Sequence, residues 1–231
     1  MDDTVAASTQ FRLYQPTLNE SMRVVIVSSE PLTRLGVRLL LEQRPELEWV
    51  GDSPCSLAAL SLMHEHRPDL VIVDIARPLR KSLGLIRRLR ASSKPLRILA
   101  AAAQPEWLLG ARALRAGANS FVHKSADARE LLLAIDLCAH GHSYVSQSSL
   151  DQFLHTSPQG TAAQKFAQLS DCELDIFYYL LDGTPVSQIK RNLHLTEKAI
   201  SNYKARVIRA LGIPPPLELG SFASSHGLSP H

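Results

Sequence analysis

The chain divides near residue 146 into two regions with different hydrophobic patterns. In the first region, short runs of consecutive apolar residues alternate with segments whose apolar positions recur at helical spacing. The runs predict strands buried on both faces, and the segments between them predict amphipathic helices. The predicted strands are Arg23–Val27, Leu47–Gly51, Leu70–Asp74, Arg97–Ala101 and Ser120–Val122, and the predicted helices are Pro31–Gln43, Leu57–Arg67, Ser82–Ala91, Glu106–Ala116 and Ala126–Cys138.

This alternation predicts an α/β domain over residues 22–146, with a doubly wound five-stranded parallel sheet and helices on both faces. In such sheets functional groups collect at the carboxyl ends of the strands. We therefore expect one crevice to contain the residues that lie at or just after strand ends, namely Ser28, Ser29, Asp74, Ala102 and Lys124.

The second region predicts helices only, in a four-helix domain over residues 166–231. Ser170 and Glu173 have the spacing of a capping box at a helix start, and Thr196 precedes a later helix in the same manner. The predicted helices are Asp171–Leu181, Val186–Leu193, Glu197–Leu211 and Leu217–His226. The sequence predicts a polar linker over residues 147–165, in which Ser148–His155 is a candidate short helix, and a flexible tail over residues 1–21.

The tight turn from His194 to Thr196 joins two short helices, which is the geometry of a helix-turn-helix. Six basic residues and one acidic residue occur between Lys190 and Arg209. In the second helix of the pair an apolar stripe lies opposite a small, polar and basic face, and such a face suits the major groove of DNA. The residues predicted to bind DNA are Lys198, Ser201, Asn202, Lys204, Ala205, Arg206 and Arg209.

Residues 165–229 resemble the LuxR-type helix-turn-helix, with a lean toward the Rcs-type capsule regulators. The matching positions are Leu169–Glu173, Gly183, Ile189, Leu193, Leu195, Lys198, Ile200 and Leu211–Ile213. The resemblance implies that Ser201, Asn202 and Ala205 read bases and that Lys198, Lys204 and Arg206 hold phosphates. The chain departs from the family at Ala199 and Tyr203, where a threonine and a histidine are usual, and loss of the threonine removes one possible phosphate contact.

Residues 22–146 resemble the flavodoxin-like receiver domain of NarL/FixJ-type response regulators. The matching positions are Pro31–Leu32, Gly36, Arg67–Asp69, Asp74, Pro78, Ala113–Ala118 and Lys124. The resemblance implies that Asp74 accepts a phosphoryl group and that Lys124 pairs with it. It also implies an acidic pair at positions 28 and 29 and a threonine or serine at position 102, whereas this chain has Ser28, Ser29 and Ala102.

These three departures change the chemistry expected of the crevice. Phosphoryl transfer to a carboxylate requires a cation, and magnesium prefers carboxylate oxygens to neutral hydroxyls. We therefore expect a degenerate receiver, a DNA-binding regulator that works without regulated phosphorylation, and a structural ion pair between Asp74 and Lys124. The alternatives are a phosphorylation-dependent response regulator, with Glu30 compensating for the lost pair, and an adaptor that acts by pairing with another regulator.

A basic run follows Asp74, with eight lysines and arginines and no acidic residue between Arg77 and Arg97. One hypothesis is that Arg77, Arg80 or Lys81 takes the place of the metal beside Asp74. The alternatives are a solvated basic helix face and a docking site for an anionic ligand or acidic partner.

Composition limits the remaining function classes. The three cysteines are widely spaced and form no metal-binding or redox pair, which favours a reduced, cytoplasmic protein. No apolar run is long enough to cross a membrane, and no nucleophile elbow or metal-ligand spacing predicts an enzyme, a cofactor or a resident metal. The expected partners are double-stranded DNA and a second copy of the chain, with a heterologous regulator or a sensor kinase as further candidates.

Overall fold

A computed structural model of the protein describes residues 21–54, 56–92, 95–103, 106–146 and 162–212. Its first domain contains a five-stranded sheet in which every neighbouring pair is parallel, with the order β2-β1-β3-β4-β5. The strands are β1 (Met22–Val27), β2 (Leu47–Ser53), β3 (Leu70–Ile75), β4 (Arg97–Ala102) and β5 (Ser120–His123). The predicted doubly wound parallel sheet is therefore confirmed.

Helices cover both faces of this sheet. They are α1 (Pro31–Leu41), α2 (Ser56–His66), α3 (Leu79–Ser92), α4 (Glu106–Ala116) and α5 (Ala128–Ala139). Along β1, Val24 and Ile26 belong to the apolar cluster shared with α1 and α5, whereas Val25 and Val27 belong to the cluster shared with α2, α3 and α4. The strand is apolar throughout its centre because its two faces are both covered.

The second domain is helical and has its own small core. Its helices are α6 (Ala162–Gln168), α7 (Asp171–Leu181), α8 (Val186–Leu193) and α9 (Glu197–Leu211). Ile176, Ile189 and Ile200 pack together where α7, α8 and α9 meet. Phe166 and Phe177 pack edge to face, with ring centroids 4.9 Å apart, and join α6 to α7. The predicted bounds of α7, α8 and α9 are confirmed.

Several predicted bounds are wrong by a few residues. Helix α3 begins at Leu79 and not at Ser82, and α5 begins at Ala128, where Asp127 caps it by accepting from the Glu130 amide, and not at Ala126. Helix α6 crosses residue 165, the predicted end of the linker. The predicted helices Ser148–His155 and Leu217–His226 lie outside the described residues, as do residues 1–20 of the predicted tail.

Candidate acceptor crevice and nucleic-acid interface

Asp74 lies near the end of β3 with its carboxylate almost entirely buried. The Ser28 hydroxyl, at the end of β1, donates a hydrogen bond of 2.6 Å to Oδ2 of Asp74. Lys124, which follows β5, places its Nζ 3.2 Å from the same oxygen. β1 and β3 are neighbours in the sheet, and β5 lies beyond β4. All these strands are parallel, so their carboxyl ends meet at one edge and bring these residues together as predicted.

Lys124 also binds a second carboxylate. Its Nζ lies 2.6 Å from Oε2 of Glu30, and the Thr33 hydroxyl donates to the same oxygen at 2.7 Å. The hydrogen bond from Lys124, followed by that from Thr33, lowers the pKa of Glu30. Desolvation lowers the pKa of Lys124, but the carboxylates of Glu30 and Asp74 outweigh it and raise that pKa overall. One ammonium group thus balances two carboxylates.

The remaining crevice residues make no comparable ion pair. Ser29 is exposed and, with Asp74 and Lys81, lines a cavity of about 220 Å³. Ala102 is fully buried at the end of β4, so its methyl group stands where the resemblance implies a hydroxyl. Among the described residues, Oδ1 of Asp74 is buried without a hydrogen-bond partner.

Two of the three basic residues proposed to replace the metal beside Asp74 bind groups of the helical domain instead. Arg77 forms an ion pair with Asp182 of the helical domain. Arg80 donates to the main-chain carbonyl of Leu193, also in that domain. The hypothesis is wrong for these two arginines, because Lys124 provides the cation beside Asp74 while their guanidinium groups face the second domain. Lys81 is exposed at the rim of the cavity.

The helix-turn-helix is held by the caps that the sequence indicates. The Ser170 hydroxyl accepts from the Glu173 amide, and the Glu173 carboxylate accepts from the Ser170 amide, so the capping box at α7 is complete. The Thr196 hydroxyl accepts from the Ala199 amide at 3.2 Å and starts α9. Between α8 and α9, His194 adopts the left-handed conformation with φ of 51°, which produces the tight turn.

The outer face of α9 is open to solvent. Its inner face buries Ile200, Val207 and Leu211, as the predicted stripe requires. All seven predicted DNA-binding residues are exposed, namely Lys198, Ser201, Asn202, Lys204, Ala205, Arg206 and Arg209. A helix with a buried apolar inner face and an exposed, polar and basic outer face suits the major groove of DNA.

Arg206 differs from the other basic residues on this face because an ion pair positions it. Its Nε lies 2.9 Å from Oε1 of Glu173, which is only 8% exposed, and its guanidinium lies over the Tyr203 ring at 5.7 Å. The Arg206 side chain as a whole remains 61% exposed. Glu173 therefore both completes the capping box and orients a candidate phosphate ligand.

Two further polar residues are buried between the domains, and the sequence reasoning missed both. Asp175 of α7 is fully buried, and Arg112 of α4 is 8% exposed. A signal for Asp175 exists in the sequence, since it interrupts the apolar positions Leu174, Ile176 and Phe177 of an amphipathic helix. Arg112 gives no such signal, because an arginine on a surface helix is ordinary.

Two family models match the chain, and together they span both domains. Residues 24–136 match the response regulator receiver domain, and residues 167–219 match the luxR family of bacterial regulatory proteins. These matches agree with the observed sheet and with the observed helix-turn-helix.

Two curated proteins are similar to this chain over most of its length. The Fimbriae Z protein of Salmonella typhimurium is 30% identical over 206 residues, covering 89% of this chain and 97% of that protein. A putative transcriptional regulator of Pseudomonas aeruginosa is 32% identical over 206 residues, covering 89% of this chain and 99% of that protein.

Among solved structures, one of the RcsB response regulator of Salmonella typhimurium has a TM-score of 0.69 at 21% identity, covering 91% of this chain and all of that chain. At this identity the likeness shows the fold alone. The family models and the curated relatives carry the assignment: the chain belongs to the NarL/FixJ-type response regulators, which join a receiver domain to a LuxR-type DNA-binding domain.

Proposed function

We propose that this response regulator binds specific DNA sequences through α9 without regulated phosphorylation of Asp74. The observation that carries the proposal is the closed network in the crevice. Ser28 and Lys124 already bind one oxygen of Asp74, and Lys124 is shared with Glu30. The groups that phosphoryl transfer would require are occupied with one another.

The residues of the crevice do not fit a magnesium ion. Magnesium usually binds through one or two carboxylates with its remaining positions held by water or phosphate. Here Oδ2 of Asp74 is bound to the ammonium group of Lys124, and the carboxylate of Glu30 is held by the same group. The Ser28 hydroxyl donates its hydrogen to Asp74. A divalent cation that bound Oδ2 of Asp74 or Oε2 of Glu30 would have to displace Lys124 from that oxygen.

The buried methyl group of Ala102 supports the same proposal. A receiver transmits phosphorylation when a hydroxyl at this strand end bonds a phosphoryl oxygen and moves with it. Ala102 is fully buried and has no hydrogen-bonding group in its side chain. A phosphoryl group on Asp74 would therefore lack one of the contacts that could pull on β4 and α4.

The second candidate function is phosphorylation-dependent DNA binding, and two observations favour it. Glu30 is exposed, but its carboxylate reaches Lys124 of the crevice at 2.6 Å. The Oδ1 atom of Asp74 has no hydrogen-bond partner among the described residues. If Lys124 moved, the Glu30 carboxylate and Oδ1 of Asp74 would together offer oxygen ligands to a divalent cation.

We propose further that the protein acts as a homodimer in the cytoplasm. Leu32, Leu35 and Leu39 form an exposed stripe on α1, with 82%, 51% and 51% of their surfaces accessible, and Leu133 on the neighbouring α5 is 50% exposed. Clustered large apolar residues at a surface favour association with another chain. Among the residues that the structure describes, no helix is long and apolar enough to cross a membrane.

A gel-shift measurement with and without a small phosphodonor tests these proposals together. The proposal predicts the same affinity for DNA in both conditions, and the same affinity for an Asp74→Ala variant. Donor-dependent binding that the variant lacks would replace it by the second candidate function. Binding that requires a different regulator would instead identify an adaptor.

A further inference from the structure

The two domains cap each other's helices. The carboxylate of Asp175 on α7 accepts hydrogen bonds from the main-chain amides of Leu79, at 2.6 Å, and Arg80, at 3.2 Å. These amides belong to the first turn of α3 in the receiver, where no residue of the same helix can accept from them. The helical domain therefore supplies the cap that the receiver helix lacks.

Arg112 makes the reciprocal contact from the receiver. Its guanidinium donates to the carbonyl of Phe166, at 3.1 Å, and to that of Leu169, at the end of α6 and in the turn before α7. It also pairs with Asp171 at 2.7 Å. Because Arg112 is buried, separating the domains would expose these carbonyls and the guanidinium to solvent together.

Charge and apolar packing surround these caps. Arg77, in the loop before α3, pairs with Asp182, which follows α7. Arg87 of α3 pairs with Asp171 of α7 at 2.6 Å. The apolar cluster between the sheet and helices α2, α3 and α4 continues without interruption into the helical domain. The members contributed by that domain are Phe166, Leu169, Leu174, Phe177, Tyr178, Val207 and Leu211.

The docked arrangement leaves the DNA-binding face free. The receiver contacts α6, α7 and the end of α8, whereas the seven candidate DNA-binding residues of α9 remain exposed. The loop that joins the acceptor strand β3 to α3 carries Arg77 and so belongs to the contact. The contact therefore sets the direction of α9 relative to the receiver and does not block it.

We infer that Asp175, Arg112 and the Arg77–Asp182 pair are positioning residues that determine which separation of DNA half-sites the protein accepts. This inference rests on the proposed function, in which a dimer binds DNA. In a dimer whose receivers pair, two rigidly docked domains place their α9 helices at one distance. Two freely tethered domains would tolerate several distances, because a flexible connection adapts to each.

A charge exchange tests the lock. Asp182→Arg and Arg77→Glu each place like charges together, and the double variant restores an ion pair with the opposite orientation. Arg88→Glu serves as the matched control, since Arg88 is an exposed arginine on α3, the helix that follows Arg77. Asp175→Asn removes the charge that caps α3 while preserving the shape of the side chain.

Docking is measured first, by calorimetric unfolding of the full chain. The wild type, the Arg88→Glu control and the double variant are expected to unfold in one transition. Asp182→Arg and Arg77→Glu are expected to unfold in two transitions, since each domain then melts alone. If both single variants unfolded as the wild type does, the lock would be disproved.

Half-site separation is measured next, on duplexes built from a half-site that the protein selects from random DNA. Single base-pair insertions change the separation step by step. The wild type is expected to prefer one separation by about tenfold over its neighbours, and Asp182→Arg to lose this preference while the double variant regains it. A preference that persists in a variant whose domains unfold separately would overturn the inference alone. Failure of the wild type to bind any duplex would overturn the proposed function, and the spacing claim with it.

Discussion

The crevice around Asp74 and the outer face of α9 both collect polar side chains at the surface of a domain, but they use them differently. In the crevice the polar groups bind one another, because Ser28, Lys124 and Glu30 form a connected network with the carboxylate. On α9 the polar groups point to solvent, and Arg206 alone among the predicted seven forms an ion pair in the described residues. A site whose charged groups are already paired has less capacity for a charged ligand than a face whose charged groups are mostly unpaired.

The strongest test of this contrast removes a base-reading group from the open face. Asn202→Ala is expected to weaken specific DNA binding by about 10- to 100-fold, since a side-chain amide that pairs with a base edge contributes about 1–3 kcal/mol of discrimination. Gln43→Ala, which removes an exposed amide from the receiver, is the control. Equal affinities of the two variants in a binding titration would mean that α9 does not read the bases.

A second test concerns Asp175, the buried carboxylate between the two domains. Burial raises the pKa of Asp175 to about 6, although the amides of Leu79 and Arg80 lower it in part, and the charges facing it are Arg80 and Asp171. The folded state therefore binds a proton that the unfolded state releases. Lowering the pH from 7 to 5 should therefore increase the folding equilibrium constant of the wild type about tenfold relative to that of Asp175→Asn.

Urea denaturation of both proteins at the two pH values measures this difference. The variant cancels the contributions of all other titrating groups, including Glu30 and Glu173, whose lowered pKa values act below this range. Parallel pH dependences in the two proteins would show that Asp175 does not titrate between the domains.

A third test tries to reopen the closed site. Ser28→Asp combined with Ser29→Asp restores two carboxylates beside Asp74, which repel one another until a cation binds. Millimolar magnesium should raise the melting temperature of this double variant by about 2–5 °C and leave the wild type unchanged. In Ala102→Thr alone, as in the wild type, magnesium should leave the melting temperature unchanged. If magnesium changed the melting temperature of the wild type, the proposal that the crevice does not fit this ion would be disproved.

The smallest expected effect compares a lysine from each region. Lys204→Ala should lower DNA affinity a few-fold and reduce the slope of log affinity against log salt by about one, because one phosphate contact is lost. Lys81→Ala, at the rim of the crevice, should leave that slope as it is. Titrations at several salt concentrations distinguish the two, and equal slopes for both variants would remove Lys204 from the interface.

The boundaries of α7 and α9 could be predicted from the sequence because their caps are local. Ser170 and Thr196 lie beside the amides that they bind, so spacing along the chain reveals them. The start of α3 could not be predicted, because its first amides are capped by Asp175, 96 positions away in sequence from Leu79. The partners of Arg77 and Arg80 could not be predicted for the same reason, because Asp182 and Leu193 are distant in sequence whereas Asp74 is near.

The central claim is that the crevice no longer accepts a phosphoryl group, and intact mass tests it most directly. The full chain is treated with a small phosphodonor and magnesium, beside an Asp74→Ala control. We expect no added phosphate in either protein. A stable added phosphate on the wild type that the control lacks would contradict it.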